Sequence, residues 1–168
     1  MADQSFHKQA VNGVQAVIQG LGLTGISPGG SPLPGGQVYS QLLPSDLTPA
    51  GSTVQEVVLP AIIVSLVPKP ETQEGTLTGQ DDIGYAVGVT GLLAQNQSLQ
   101  ISDTYLYWRW QIRDALNHKR PAALVSALAV ALKEVKWEPG AVIDLDLFRQ
   151  ANLWAWSDVY RVVTRETR

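Results

Sequence analysis

The chain has 168 residues, no cysteine, two histidines and one methionine, with 45% hydrophobic residues and a formal net charge of -3. That length suits one domain able to bury a real core, since a chain of this size hides roughly 70% of its extended surface on folding. Without cysteine there are no disulfide scaffolds, zinc ribbons, iron–sulfur clusters or thiol nucleophiles, and two histidines far apart at His7 and His118 leave little for a histidine metal site.

No stretch approaches the roughly 18 apolar residues of a membrane span, and residues 1–20 lack the compact apolar segment of a secretory signal. The expected product is therefore soluble and made inside a cell. Fifteen glycines and ten prolines beside only 16% charged residues suggest ordered loops on a low-charge surface of the kind that finds partners. Charge is unevenly placed. Residues 1–100 carry two basic groups against seven acidic ones, a net of -5, and residues 101–168 carry ten against eight, a net of +2. Such a split favours head-to-tail contact between copies, and the acidic total is not that of a nucleic-acid binder.

In chain order, Phe6, Ala10, Val14, Val17, Ile18 and Leu21 recur at spacings of three and four, which predicts an amphipathic helix over residues 4–20 ended by Gly20 and Gly22. Residues 25–36 hold five glycines and three prolines and read as a long loop. Val38–Leu43 reads as a strand, and Pro44–Ser52 as a turn region. Ala61–Val67 is a β-branched run between Pro60 and Pro68 and predicts a central strand. Residues 68–82 read as a polar, acidic hairpin loop leading to a strand in which Ile83, Tyr85, Val87 and Val89 alternate with small residues.

Ser102 or Asp103 can cap a helix that begins at Thr104 and is bounded by Pro121. On its wheel Tyr105, Trp108, Ile112 and Leu116 share the core face, while Leu106 and Trp110 point elsewhere and need a cover. Leu124, Leu128 and Leu132 continue at helical spacing, with a strand as the alternative, and Trp137–Gly140 reads as a turn. Ile143, Leu145 and Leu147 alternate with Asp144 and Asp146 as in a strand with one solvated face. A longer strand follows over Leu153–Thr164, with Trp154, Trp156, Asp158, Tyr160 and Val162 on one face. The sum is one α+β domain over residues 1–168, a mostly antiparallel sheet packed by an N-terminal helix and a central helix, with long loops.

Several motifs fail on physical grounds. Gly20-Leu21-Gly22-Leu23-Thr24-Gly25 has the dinucleotide spacing, but its glycines follow a helix instead of opening one, so no cofactor is expected. Gly25-Ile26-Ser27-Pro28-Gly29 resembles a nucleophile elbow, yet Pro28 has no N–H to offer an oxyanion. Asp144 and Asp146, about 7 Å apart on one strand face, could pair in a glycosidase or hold a divalent metal, although a solvated stripe explains them equally well. Asp81 and Asp82 read as loop solvation, and no metal site is expected. Trp154 and Trp156 suit core or interface packing better than a stacking platform. Arg109 and Arg113, one turn apart between the two aromatic faces, have the composition of an interface centre.

Leu59-Pro60-Ala61-Ile62-Ile63-Val64, the acidic loop, Ile83-Gly84-Tyr85-Ala86-Val87-Gly88-Val89, Trp108-Arg109-Trp110-Gln111-Ile112-Arg113 and Val159-Tyr160-Arg161-Val162-Val163-Thr164-Arg165-Glu166 together resemble, in their order, the tail-terminator or tail-completion proteins of long-tailed bacteriophages. The resemblance covers most of the chain from Leu59 onward. It implies a non-enzymatic α+β virion protein of the tail or neck, made in the host cytoplasm and assembled as a homo-oligomeric ring, usually a hexamer, that caps the tail tube. Its implied partners are the tail-tube protein, a head connector or adaptor protein, and DNA passing through the lumen without sequence-specific binding. Leu106, Arg109, Trp110, Arg113, Arg161 and Arg165 would meet a neighbouring subunit. Lys69, Glu71, Glu74, Asp81 and Asp82 would extend toward the lumen or the tube. Residues 25–36 have no counterpart in that family, and Ala86 stands where proline is expected, which leaves a related neck or head-completion protein as an alternative. From another class, a small hydrolase or carbohydrate-binding module would use Asp144, Asp146, Trp154 and Trp156.

Overall fold

A computed structural model describes residues 6–27, 37–41, 57–67, 69–75, 79–94 and 104–167. The elements run α1 (Phe6–Gln19), β1 (Val38–Gln41), β2 (Ala61–Leu66), β3 (Thr72–Gly75), β4 (Gln80–Ala94), α2 (Leu106–Leu116), α3 (Ala122–Ala127), β5 (Ala131–Pro139), α4 (Leu145–Ala151) and β6 (Leu153–Thr167). The expected α+β class, with a mostly antiparallel sheet and an N-terminal helix, is what the chain adopts. The expected turn over Pro44–Ser52, the caps at Ser102 and Asp103, and residues 28–36 of the glycine and proline loop lie outside the described residues.

One sheet has the order β1-β2-β4-β6-β5, with β3 also paired to β4. Its spine is the antiparallel pair of β4 and β6, in register from Gln80↔Thr167 to Ala94↔Leu153. Because strand side chains alternate, Tyr85, Val87 and Val89 of β4 and Trp156, Tyr160 and Val162 of β6 enter one core with α1, α2 and α3. On the other face Tyr39, Ala61, Leu92 and Ala155 form a smaller cluster with Leu147 of α4 packed against it. Beyond that cluster the second face is polar and open.

Helix α1 buries Ala10, Val14, Val17 and Ile18 as its periodicity predicts, and Gly20 with left-handed Gly22 (φ 62°) ends it. Gly13 lets α3 approach closely, since a Cβ there would overlap the Leu124 side chain. At the sheet's β5 edge two backbone groups are taken. The His118 N–H donates to the Val135 carbonyl (2.8 Å) and the Trp137 N–H donates to Asn117 Oδ1 (3.0 Å). At the β1 edge Gln15 Nε2 donates to the Val38 carbonyl (2.8 Å).

Four local readings change. The acidic loop contains strand: β3 pairs Thr72↔Gly84 through Gly75↔Asp81, and Gln80–Asp82 already belong to β4. Asp81 and Asp82 are buried in β4 and are not solvated loop residues. Trp137 belongs to β5, and no turn precedes Gly140. Leu145–Ala151 is a helix, because Asp144 Oδ1 accepts from the N–H groups of Asp146 and Leu147 (3.0 Å each) and so caps it. Asp144 is thereby committed to structure. Asp144→Ala is expected to cost about 1 kcal/mol in chemical denaturation, whereas Asp146→Ala, whose side chain caps nothing, is expected to cost far less.

Candidate functional site

The core face of α2 carries Tyr105, Trp108, Ile112 and Leu116, all buried, and Trp108 Nε1 donates to the Thr24 carbonyl (2.9 Å). With that face fixed, helical geometry forces Leu106 (41% exposed), Tyr107 (50%) and Trp110 (47%) outward. Tyr107 and Trp110 stack, with centroids 5.5 Å apart and planes 14° from parallel.

Between these two faces lie the arginines. Arg109 makes a two-pronged contact with Asp158 of β6, Nε to Oδ2 at 2.7 Å and Nη2 to Oδ1 at 2.6 Å. The same Oδ1 accepts the Gly140 N–H (2.9 Å), and Arg109 Nη2 reaches the Gly140 carbonyl (3.3 Å). The hydrogen bonds that Arg109 donates to Asp158 raise its pKa further, so its charge is permanent. Arg113 lies over the Trp137 ring, 4.9 Å from its centroid, and has no carboxylate partner among the described residues.

Past Gly140 the connection to α4 stays tied to β6, with the Ser157 N–H donating to the Ala141 carbonyl and the Asp144 N–H to the Ala155 carbonyl (2.8 Å each). This aims Val142 toward α2. Leu106, Arg109, Trp110, Arg113, Trp137 and Val142 together line one groove of about 230 Å³, and Ile143 and Leu145 stay exposed just beyond it. The groove is largely apolar, bordered by two arginines, and built from α2, β5 and the connection to α4.

Trp137 also borders a second hollow of about 310 Å³ on the polar face of the sheet. Ion pairs organise that face. Glu138 accepts from Lys69 Nζ (2.7 Å) and Arg161 Nε (2.8 Å), and those two bonds, with Lys69 the larger influence, hold its carboxyl below the usual range. Asp82 accepts from Lys133 Nζ (2.6 Å) and Arg165 Nε (2.9 Å), and Arg165 first, then Lys133, holds its carboxyl well below that range. Asp82, from the acidic first hundred positions, thus meets two basic residues of the remainder inside one molecule, while Lys69 and Glu138 pair in the opposite sense.

Of the residues singled out in the sequence, Leu106, Arg109, Trp110 and Arg113 come together. Arg161 and Arg165 sit on the opposite side of the β5 edge, each held by a carboxylate of its own chain. Lys69, Glu71 and Glu74 lie exposed at or near β3, while Asp81 and Asp82 are buried behind them. Trp156 is fully buried, and Trp154 is half-buried against Phe148 (centroids 4.5 Å), so the two do not form an open stacking surface. Among the described residues, no group of three His, Asp or Glu side chains could hold a metal ion, and no helix is long and apolar enough to cross a membrane. Ser27 is occupied in a loop clasp, its N–H donating to Gln37 Oε1 (2.7 Å).

Neither a known protein family nor a curated protein matches the sequence. Among solved structures, the chain is similar to one from the virion of a native gene transfer agent particle. The two are 16% identical, the likeness covers 78% of this chain and 80% of that one, and the TM-score is 0.47.

Trp137 and Val142 are the groove residues that sequence reasoning missed. Trp137 had a usable signal, since Val135 and Trp137 alternate, but Leu132 breaks that period. The register shift between Leu132 and Glu134 inserts one residue, so inward positions run 132, 135, 137 and the strand alternation is interrupted, while Leu132 falls in step with Leu124 and Leu128 at helical spacing. Val142 had no local signal, because its role comes from contact with a helix more than thirty positions earlier in the chain.

Proposed function

We propose that the chain is a structural subunit of a phage-like virion, working without chemistry. It assembles with copies of itself into a ring, of hexameric order by the family resemblance, that caps the tail tube in the neck and joins it to the head connector while DNA passes through the lumen. The observation that carries this reading is the α2 groove. Leu106, Tyr107 and Trp110 are held outward by a helix whose other face is locked in the core, and Arg109 and Arg113 stand beside them. Aromatic and arginine side chains on a rigid apolar surface are the composition of interface centres. Arg109, Trp110 and Arg113 also belong to one of the strings that resemble the tail-terminator family. An enzyme would instead converge several free polar groups in one pocket.

The test is native mass spectrometry of the purified chain, alone and after addition of tail-tube protein. The expected result is a closed oligomer that binds tube protein, and Trp110→Asp is expected to weaken assembly about a hundredfold without unfolding the monomer, since Trp110 is half exposed. A chain that stays monomeric at all concentrations and ignores tube protein would overturn the reading. A ring that binds the head connector and not the tube would move it to another neck or head-completion component.

A further inference from the structure

Where β5 begins and β6 ends, a cavity of about 240 Å³ is lined by Arg120, Ala131, Leu132, Lys133 and Arg165. Three cations from three segments border it, and among the described residues no carboxylate lines it. Two of them are tied to Asp82, only 5% exposed, which accepts from Lys133 Nζ (2.6 Å) and from Arg165 Nε and Nη2 (2.9 and 3.2 Å). One carboxylate therefore balances two cations and leaves the pair with a net positive charge. Arg120 adds to it, since it is exposed and has no hydrogen-bond or ion-pair partner among the described residues.

Donors remain for a ligand. Arg165 spends Nε and Nη2 on Asp82, which leaves Nη1, Lys133 spends one of three N–H groups, and Arg120 keeps its full guanidinium fork. Lys133 stands at the irregularity between Leu132 and Glu134, and a bulge of this kind re-aims a side chain out of the regular alternation. Donors that arrive from a connection, an edge strand and an interior strand suit a tetrahedral group with acceptors in several directions better than a planar carboxylate.

We propose that this cavity binds a phosphate group, either as free inorganic phosphate or as a phosphodiester of a nucleic-acid backbone. Recognition is by charge and donor geometry, without reading of bases, as phosphate contacts allow. The site lies away from the α2 groove and does not depend on assembly for its residues.

The full chain is titrated in two arms, inorganic phosphate by calorimetry and a short labelled DNA duplex by fluorescence anisotropy, between about 50 and 200 mM salt. Binding of phosphate alone assigns the site to the free anion, and binding in both arms assigns it to the backbone. Arg120→Gln and Lys133→Gln, which leave the Arg165–Asp82 pair in place, should each weaken binding about tenfold, and in the DNA arm each should lower the salt slope by about 1. Arg149→Gln, which removes an exposed charge on α4, should change neither. No binding in either arm overturns the proposal. So does an equal loss in all three variants, which would be a net-charge effect, or binding of polyglutamate in place of phosphate. Thermal unfolding of each variant confirms that the fold is intact.

Discussion

Asp158→Asn is expected to lower the stability of the fold by about 3–5 kcal/mol. Asp158 is 1% exposed and sits between Trp156 and Tyr160 on the central strand β6. Its carboxylate takes both prongs of Arg109 and the Gly140 N–H. Asparagine keeps the volume but brings an amide that faces the guanidinium with donors of its own and carries no charge. Arg109, mostly buried with 16% side-chain exposure, is left as an uncompensated cation. Denaturant unfolding reads the loss. The double variant Arg109→Met with Asp158→Leu should recover most of it, because apolar groups of similar shape can replace a buried pair at little cost. A loss below about 1 kcal/mol would mean that Arg109 turns to water and that the pair is worth no more than a surface contact. The substitution also bears on the groove, since Gly140 at its border loses a charged acceptor for its N–H.

Gly91→Ala is expected to cost about 3 kcal/mol. Gly91 lies directly opposite Trp156 in the β4–β6 register, and a Cβ on it would overlap the indole ring. The ring is fully buried, with Tyr105 edge-on against it at 6.3 Å, so it has nowhere to go. Gly79→Ala makes the comparison. That residue has a positive φ of 73° but nothing within reach of an added Cβ, so only backbone strain of about 1 kcal/mol applies. If the two variants lose equal stability in the same denaturant series, the packing of Trp156 over Gly91 does not limit the core.

Much of this fold is written in short-range periodicity. The three-and-four spacing of α1, the alternation in β4 and β6 and the two faces of α2 are local patterns, and each corresponds to an element. What failed was also local. Ile143, Leu145 and Leu147 alternate with Asp144 and Asp146 as a strand would, but one carboxylate accepting two backbone N–H groups turns the segment into a helix. The start of β5 at Ala131 and Leu132 was read as the end of a helical run, and its end at Trp137 as a turn, because the bulge at Lys133 breaks the strand alternation between them. For the site, Leu106, Arg109, Trp110 and Arg113 were legible because one helix carries them all. Asp82 was not, because Lys133 lies 51 positions away and Arg165 83. The charge asymmetry between the two parts of the chain was visible at once, but pairing β4 and β5 with β6 brings Asp82 of the acidic part against Lys133 and Arg165 of the basic part within one chain.

The occupied edges of the sheet carry a last consequence. With the Val135 carbonyl and the Trp137 N–H both engaged by the end of α2, and the Val38 carbonyl by Gln15, β-strand addition is closed off at these positions of both outer strands. Recognition there has to be made by side chains and not by shared main-chain ladders. Surfaces of that kind can be rewritten one residue at a time, so a lineage of such proteins could exchange its partners while its β-sheet stayed the same.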